Sequence, residues 1–135
     1  MKISYLKFIS IFCIVVFGAA FLFAQTSKPW PVPDKYVKMK NPVKSDDKSI
    51  GNGKKLFTKF CQDCHGKKGK GDGPKSTDIK TTVADLSNAN IQSEPDGSLF
   101  YRISEGRGDM PRAKKDLPDA SDIWSLVNYV RTFKK

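Results

Sequence analysis

The chain has 135 residues and a formal net charge of +10, with 24 Lys and Arg residues against 14 Asp and Glu residues. This length leaves room for one small domain and a tail. Binding to nucleic acid is not indicated despite the positive charge, because the aromatic residues fall on predicted helix-core positions and no nucleic-acid recognition motif is present.

The first predicted element is an apolar segment at the N-terminus. Lys2 and Lys7 precede an apolar run at residues 8–23, and the small residue Ala24 follows it. This order is typical of a secretory signal peptide, so we expect residues 1–24 to be cleaved near Ala24. An uncleaved membrane anchor is the alternative. Both interpretations predict a location in the periplasm or on the outer face of the cytoplasmic membrane, and the second predicts membrane association through the N-terminal segment.

The second segment, residues 25–48, is rich in proline. Because proline lacks an amide donor and fixes φ, we expect extended or polyproline-II-like backbone here. The segment has too many apolar residues for an inert linker. We therefore expect it to lie against the surface of the folded domain, which we place at residues 49–135, and a flexible tether is the alternative.

Three amphipathic helices joined by long loops are predicted in residues 49–135. The first spans about 50–63 after a cap at Ser49, the second runs from a cap at Ser93 or Asp96 to Gly106, and the last spans about 120–133. A helical turn is also expected at 85–89, and loops are expected at 67–78 and 106–119. No stretch alternates apolar and polar residues for long, so the predicted fold class is all-α. Such a small body has a thin core that a large flat cofactor would stabilise.

The segment Cys61–His65 (CQDCH) follows the first predicted helix and contains the only histidine of the chain. A structural zinc ion prefers four Cys or His ligands in two separated pairs, and no second pair exists. A thioredoxin-like dithiol begins a helix on a βαβ scaffold, whereas this motif ends a predicted helix. The pattern C-x-x-C-H is the attachment motif of c-type haem. We therefore predict one covalent haem c, bound by Cys61 and Cys64, with His65 as the proximal ligand of its iron.

The second axial ligand must come from elsewhere, because no other histidine is present. Methionine, another side chain or an open position all remain. Met110 lies in a glycine-rich loop before the last helix and is followed by Pro111, so it can approach the iron from the face opposite His65. Met39, in the proline-rich segment, is the alternative methionine.

Several residues fit one known family. Matching positions are Gly53 and Phe57 in the first helix, Leu126 and Tyr129 in the last helix, the motif Cys61, Cys64 and His65, and the loop Met110–Pro111. With these residues, the stretch from about Ile50 to Phe133 resembles the class I c-type cytochromes, the monohaem cytochrome c family. The resemblance implies contact between the first and last helices, and Met110 as distal ligand. It also implies that the carbonyl of Pro74, in GDGP, accepts the second N–H of the histidine.

The resemblance implies a small all-α cytochrome c fold, with three main helices and long loops wrapped around one covalent haem. An iron with histidine and methionine ligands has no open site and passes single electrons. The expected function is therefore an exported electron carrier rather than an enzyme. One alternative is a haem c subunit of a larger membrane-bound respiratory or dehydrogenase complex. Another is a gas sensor or peroxidase-like enzyme with an open sixth position.

Seven lysines cluster around the haem motif in the sequence. They are Lys54, Lys55, Lys59, Lys67, Lys68, Lys70 and Lys75. A basic rim around an exposed haem edge would steer the protein to acidic docking surfaces of redox proteins or of membrane oxidase and reductase complexes. The alternative is a solvated basic surface without a specific partner.

Overall fold

The computed structural model describes residues 30–135. From Val32 to Lys135 these residues form one compact unit. The predicted signal peptide at 1–24 and the first part of the proline-rich segment lie outside the described residues. Within the described part, no helix is both long enough and apolar enough to span a membrane.

The described residues form seven helices, and the only β-structure among them is an isolated bridge between Arg107 and Met110. The helices are α1 (Asp34–Val37), α2 (Asp47–Phe60), α3 (Gln62–His65), α4 (Ala89–Gln92), α5 (Asp96–Glu105), α6 (Ala113–Asp116) and α7 (Ala120–Arg131). The all-α prediction is confirmed. The three long helices, α2, α5 and α7, correspond to the three that the sequence predicts.

The start of α2 differs from the prediction because the capping residue is Asp46 and not Ser49. The Asp46 side chain accepts a hydrogen bond from the backbone N–H of Ser49, and the Ser49 hydroxyl accepts one from the backbone N–H of Asp46. This reciprocal pair is a capping box, in which Ser49 is the third residue of the helix. Helix α5 ends at Gly106, as predicted, and this glycine has a φ of 58°.

Short helices occur where the sequence predicts loop or extended backbone. Helix α1 lies in the proline-rich segment, where Pro33 supplies a helix-compatible φ of −59° and Asp34 adds a negative charge to the first turn. The helical turn expected at 85–89 occurs a few residues later, as helix α4. The side chain of Asn88 caps this helix by accepting a hydrogen bond from the backbone N–H of Asn90. Helix α6 lies in the expected loop at 106–119.

Helix α2 packs against α7 at Gly53. A Cβ atom at this position would collide with the backbone carbonyl of Ser125 and would lie 2.8 Å from Cβ of Tyr129. One turn later, the rings of Phe57 and Tyr129 have centroids 5.3 Å apart. The contact between first and last helices that the resemblance implies is therefore present, and it places the end of α2 beside α7.

The core lies between α2, α5 and α7. Its buried hydrophobic residues are Phe57, Leu99, Phe100, Leu117, Ile123, Trp124, Leu126, Val127 and Val130. Phe100 and Trp124 stack with ring centroids 4.2 Å apart, which joins α5 to α7. Phe60, which the helical period places on the apolar side of α2, is instead 40% exposed at the last residue of that helix, and the Lys59 ammonium lies 4.8 Å from its ring centroid.

The described part of the proline-rich segment contacts α5 and α7. The rings of Tyr36 and Tyr101 lie 4.7 Å apart between centroids. Asn128 of α7 is buried and accepts a hydrogen bond of 2.8 Å from the Asn41 side-chain amide. Its own amide donates to the carbonyl of Val43 at 3.2 Å, and Lys44 O lies at 3.3 Å. Residues 36–44 therefore lie against the helices of the domain.

Candidate functional site

The motif CQDCH lies at the junction of α2 and α3. The backbone N–H of Cys61 donates to Phe57 O at 2.9 Å, which ends α2, and the N–H of His65 donates to Cys61 O at 2.9 Å, which closes the single turn of α3. The thiols of Cys61 and Cys64 are half-buried and not bonded to each other. One helical turn therefore presents two thiols and one imidazole.

The environment of the thiols does not favour redox dithiol chemistry. Burial raises the pKa of Cys61 to about 12, and the neighbouring Cys64 acts in the same direction. A redox dithiol needs the opposite shift, because the thiolate is the nucleophile. The raised pKa of Cys61 therefore argues against disulfide exchange at this residue.

The imidazole of His65 lies beside the core. Its ring centroid is 6.5 Å from that of Phe57, and its Nδ1 atom is buried with no hydrogen-bond partner among residues 30–135. Burial lowers the pKa of His65, while the backbone carbonyl of Ala84 acts in the opposite direction. The neutral ring that burial favours has a lone pair for a metal. A buried polar atom without a partner is costly, so this atom needs a bond that the described residues do not supply.

The loop after the motif returns to α3. Gly71 N–H donates to His65 O at 2.9 Å, and Gly73 N–H donates to Cys64 O at 3.1 Å. A Cβ atom on Gly73 would lie 2.7 Å from the carbonyl carbon of Cys64, so the loop backbone lies directly on the motif backbone. This contact places Pro74 next to the motif. No hydrogen bond joins its carbonyl to His65, and the predicted role of Pro74 remains a prediction.

A second segment, residues 81–87, lies against this loop. Leu86 N–H donates to Gly69 O at 2.6 Å, and a Cβ atom on Gly71, whose φ is 76°, would collide with the carbonyl of Val83. The Lys70 ammonium contacts the Asp85 carboxylate at 3.1 Å. Backbone and side-chain contacts thus hold the segment beside the loop that follows His65.

Met110 lies in a two-residue hairpin. Arg107 N–H donates to Met110 O and Met110 N–H donates to Arg107 O, both at 3.0 Å. Gly108, with φ of 59°, occupies the first turn position, which is typical of a type II′ turn. The carboxylate of Asp109 accepts hydrogen bonds from Thr81 N–H at 3.1 Å and from Thr81 Oγ1–H at 2.8 Å. The hairpin that carries the half-buried Met110 is therefore attached to residues 81–87, which lie against the loop after His65.

The other methionine of the described residues lies elsewhere. Met39 is 37% exposed, and its Cβ lies 2.9 Å from where a Cβ would stand on Gly97, in the first turn of α5. Among the described residues, its backbone N–H donates to Tyr36 O, and no hydrogen bond joins it to the loop after His65 or to residues 81–87. Its position therefore gives no support to Met39 as the alternative ligand.

The donor set fits a covalently bound haem. Two free thiols on one helical turn match a group that forms two thioether bonds, and the half-buried imidazole, whose buried Nδ1 atom has no partner among the described residues, matches an axial nitrogen ligand. Across residues 30–135, no cluster of three or more His, Cys, Asp or Glu side chains is placed to hold a metal ion. Cys61 and Cys64 would hold the haem as its two thioether anchors, and His65 would be an axial ligand of its iron.

The lysines around the motif divide into two groups. Lys70 pairs with Asp85, and Lys75 pairs with Asp63 at 2.8 Å. The remaining five are exposed and have no ion-pair partner in the part of the chain that the structure describes. These are Lys54, Lys55, Lys59, Lys67 and Lys68. We refer to these five residues as the lysine group.

Sequence reasoning did not identify Thr81, Ala84 or Asp109 as parts of the site. Asp109 directly precedes Met110, and this adjacency is the one local signal that could have found it. Thr81 and Ala84 reach the site through contacts with residues distant in sequence. No pattern within their own segment indicates those contacts.

Comparison with known proteins gives one family and a set of similar folds. A family model described as cytochrome C oxidase, cbb3-type, subunit III matches residues 48–130, which is more than half of the chain. No curated protein sequence matches.

Two solved structures are similar to the chain. One is a chain of the Kuenenia stuttgartiensis reducing HAO-like protein complex Kustc0457/Kustc0458, with a TM-score of 0.64 and 24% identity, over 82% of this chain and 53% of that one. The present chain thus spans about half the length of that protein, and the likeness concerns the fold alone. The other is KustC0563 c-type cytochrome, with a TM-score of 0.52 and 27% identity, over 62% of this chain and 98% of that one.

Proposed function

The chain belongs to the cytochrome c family described as cytochrome c oxidase, cbb3-type, subunit III, and from this premise we propose that it is an exported monohaem electron carrier whose iron is bound by His65 and Met110. Family membership makes the protein a c-type cytochrome with covalently bound haem c and its iron. Cytochromes of this kind carry electrons and are typically located outside the cytoplasm. We further propose that the chain binds one haem and that its partners are redox proteins or membrane complexes.

The observation that carries the proposal is the single turn Cys61–His65. We assign Cys61 and Cys64 as the two thioether anchors and His65 as the proximal ligand, because the half-buried free thiols and the buried, unpartnered imidazole nitrogen match these roles. When bound, haem supplies one-electron transfer at its iron. The chain has one such motif, which supports one haem.

Met110 is the proposed distal ligand. Its hairpin is attached through Asp109 to residues 81–87, which contact the loop after His65. Methionine is a weak donor and raises the reduction potential compared with stronger axial ligands. Pro74, next to the motif, is the proposed acceptor for the second ring N–H of His65, which would fix the orientation of the ring. In the structure the backbone acceptor at this ring is the Ala84 carbonyl, so the proposed bond to Pro74 requires the ring to turn away from Ala84.

This ligand set supports electron transfer rather than catalysis. With His65 and Met110 both bonded to the iron, no coordination position is open to a substrate. The protein then sets the potential and the orientation of the haem, and it excludes water from the ligand bonds. The gas-sensor and peroxidase-like alternatives require an open or easily vacated position, which this ligand set does not provide.

The proposed partners are redox proteins or membrane complexes with acidic docking surfaces. The exposed lysine group surrounds the motif in sequence and would attract such surfaces over a distance of about one Debye length. Export by residues 1–24 would place the protein in the periplasm or on the outer face of the cytoplasmic membrane. An uncleaved segment would keep it associated with the membrane.

A haem c subunit of a larger complex is the second candidate. The likeness to a chain of a multiprotein redox complex extends over 82% of the present chain, compared with 62% for the likeness to KustC0563 c-type cytochrome. Purification under mild conditions distinguishes the two candidates. A carrier elutes as a monomer, whereas a subunit elutes together with other chains.

The Met110→Ala variant tests the proposed ligand set. We expect it to lose the methionine–iron charge-transfer band of the oxidised protein, to lower the reduction potential and to bind carbon monoxide in the reduced state. Met39→Ala is the matched control and should leave all three properties unchanged. An unchanged spectrum in Met110→Ala would overturn Met110 as the ligand.

A further inference from the structure

We propose that Asp109 and Thr81 form a latch that holds Met110 in position for its bond to the iron. The proposal rests on the proposed function, in which Met110 is the distal ligand. Neither Asp109 nor Thr81 would touch the iron. Both are positioning residues, which act through the hairpin that carries Met110.

The contact consists of two hydrogen bonds to one carboxylate. Oδ2 of Asp109 accepts from the backbone N–H of Thr81 at 3.1 Å and from its hydroxyl at 2.8 Å. The two residues are 28 positions apart in the sequence. Because both donors belong to Thr81, the two hydrogen bonds fix the orientation of the Asp109 carboxylate relative to Thr81 as well as the distance between them. The latch therefore restricts how the hairpin can rotate against the neighbouring segment.

The hairpin needs such a contact because its tip has little burial of its own. Arg107, Gly108 and Asp109 are exposed, and only Met110 is half-buried. The two backbone hydrogen bonds between Arg107 and Met110 close the hairpin, but they do not orient it relative to the rest of the domain. Exposed loops with few buried contacts open locally at low free-energy cost.

The latch connects the hairpin to the side of the site that carries His65. Thr81 begins the segment whose Val83 and Leu86 contact Gly71 and Gly69, in the loop after the motif. The two proposed axial ligands are thus positioned by one continuous set of contacts. A weak ligand such as a thioether depends on a supporting shell that holds it within a fraction of an ångström of its bonding position.

The test measures how readily the distal position opens in the holoprotein. Carbon monoxide binds to the reduced iron after the methionine has left it, so its binding rate reports the open population. We expect Asp109→Ala to raise this rate about fivefold, because the net free energy that a hydrogen bond contributes corresponds to a change of about this size in the open population. The variant should also lower the temperature at which the methionine–iron band disappears. Thr81→Val should give a smaller increase, because its backbone N–H remains, and Thr81→Ser should match the wild type.

Two comparisons separate the latch from a general loss of charge or stability. Asp116→Ala removes the same charge from the exposed helix α6, where the carboxylate makes no side-chain bond to described residues, and it should leave the rate unchanged. The double variant Asp109→Ala with Thr81→Val should open no more readily than Asp109→Ala alone, because both changes remove the same contact.

The latch is overturned if Asp109→Ala and Asp116→Ala bind carbon monoxide at the same rate while Met110→Ala has lost the charge-transfer band. In that outcome the proposed ligand stands and only the latch fails. If Met110→Ala retains the band, the proposed ligand fails, and the latch fails with it. Faster amide hydrogen exchange at residues 107–111 in Asp109→Ala, but not in Asp116→Ala, is the second expected result, and equal exchange in both variants would count against the latch.

Discussion

Gly53 links the helix packing to the chemistry of the motif. It lets the backbone of α2 approach Ser125 on α7 without an intervening side chain. The approach places the ring of Phe57 5.3 Å from that of Tyr129 and 6.5 Å from that of His65, measured between ring centroids. A residue that has no functional group of its own therefore sets the position of the helix that leads into Cys61.

Substitution of Gly53 by alanine should destabilise the protein. The added Cβ would collide with the Ser125 carbonyl, and neither backbone can move without disturbing the contact between α2 and α7. We expect the free energy of unfolding to fall by about 1–3 kcal/mol, as for other overpacked sites. Denaturant unfolding of the holoprotein measures this change.

Gly51 provides the matched control, two residues earlier in the same helix. A Cβ atom there has no neighbour within 4 Å. Gly51→Ala should therefore raise the free energy of unfolding by about 0.5–1 kcal/mol, because alanine favours the helix. Equal effects of the two substitutions would contradict the role assigned to Gly53.

The motif Cys61–His65 could be recognised from the local sequence, because its chemistry depends on the spacing of three residues within a stretch of five. Thr81 and Asp109 carried no comparable signal. Their contact joins positions 28 residues apart and exists only after the intervening loops have folded. The sequence could thus indicate the proposed ligands, but it could not indicate the contact between Thr81 and Asp109 that we propose as the latch of Met110.

The helices differ in how well they could be predicted. Apolar residues at three- and four-residue steps identified α2, α5 and α7, each of which buries one face in the core. The start of α2 was misplaced because Asp46 and Ser49 can both cap a helix, and sequence alone did not decide between them. The short helix α4 has a side-chain cap at Asn88, whereas α1 has no side-chain cap and contacts α5 through Tyr36. Local caps and tertiary contacts outweigh weak propensities in such short helices.

Asn128 fixes the segment before α2 to the last helix. It is 4% exposed and makes hydrogen bonds with Asn41, with the carbonyl of Val43 and with the hydroxyl of Ser49. Buried polar groups of this kind are costly when a partner is lost. We therefore attribute the close packing of residues 36–44 to this asparagine together with Tyr36.

Asn128→Ala should release this segment. The substitution leaves several polar groups without partners, and we expect a loss of about 1–3 kcal/mol in the free energy of unfolding. Residues 36–44 should also become more sensitive to limited proteolysis. Asn52→Ala, which removes one half-buried hydrogen bond to Asp122, is the control and should leave the segment protected. Equal proteolysis of both variants would contradict the anchoring role of Asn128.

The molecule as a whole carries a net charge of +10, and the exposed lysine group concentrates part of this charge near the motif in the sequence. A field of one sign near an exposed redox group raises the encounter rate with oppositely charged partners. The charge distribution is therefore relevant to partner choice and to association kinetics.

Neutralising Lys67 and Lys68 tests this interpretation with a small probe of defined charge. Ferricyanide is a multivalent anion. At low ionic strength, we expect it to oxidise the reduced Lys67→Gln/Lys68→Gln variant at about half the rate of the wild type or less. Salt should diminish the difference, because the Debye length is about 10 Å at 0.1 M.

The same change at Lys38 and Lys40 is the control. These exposed residues lie in the segment that contacts α5 and α7. An equal decrease in rate from this control would show that only net charge matters, and that the lysine group has no directing role.

The intact mass of the denatured, acid-acetone-extracted protein tests the central claim most directly. We expect the chain, produced with a haem-attachment system, to retain the mass of one haem after extraction. The Cys61→Ser/Cys64→Ser variant should show the mass of the polypeptide alone. Loss of the haem mass from the unaltered protein, or its retention by the double variant, would contradict covalent attachment at Cys61 and Cys64.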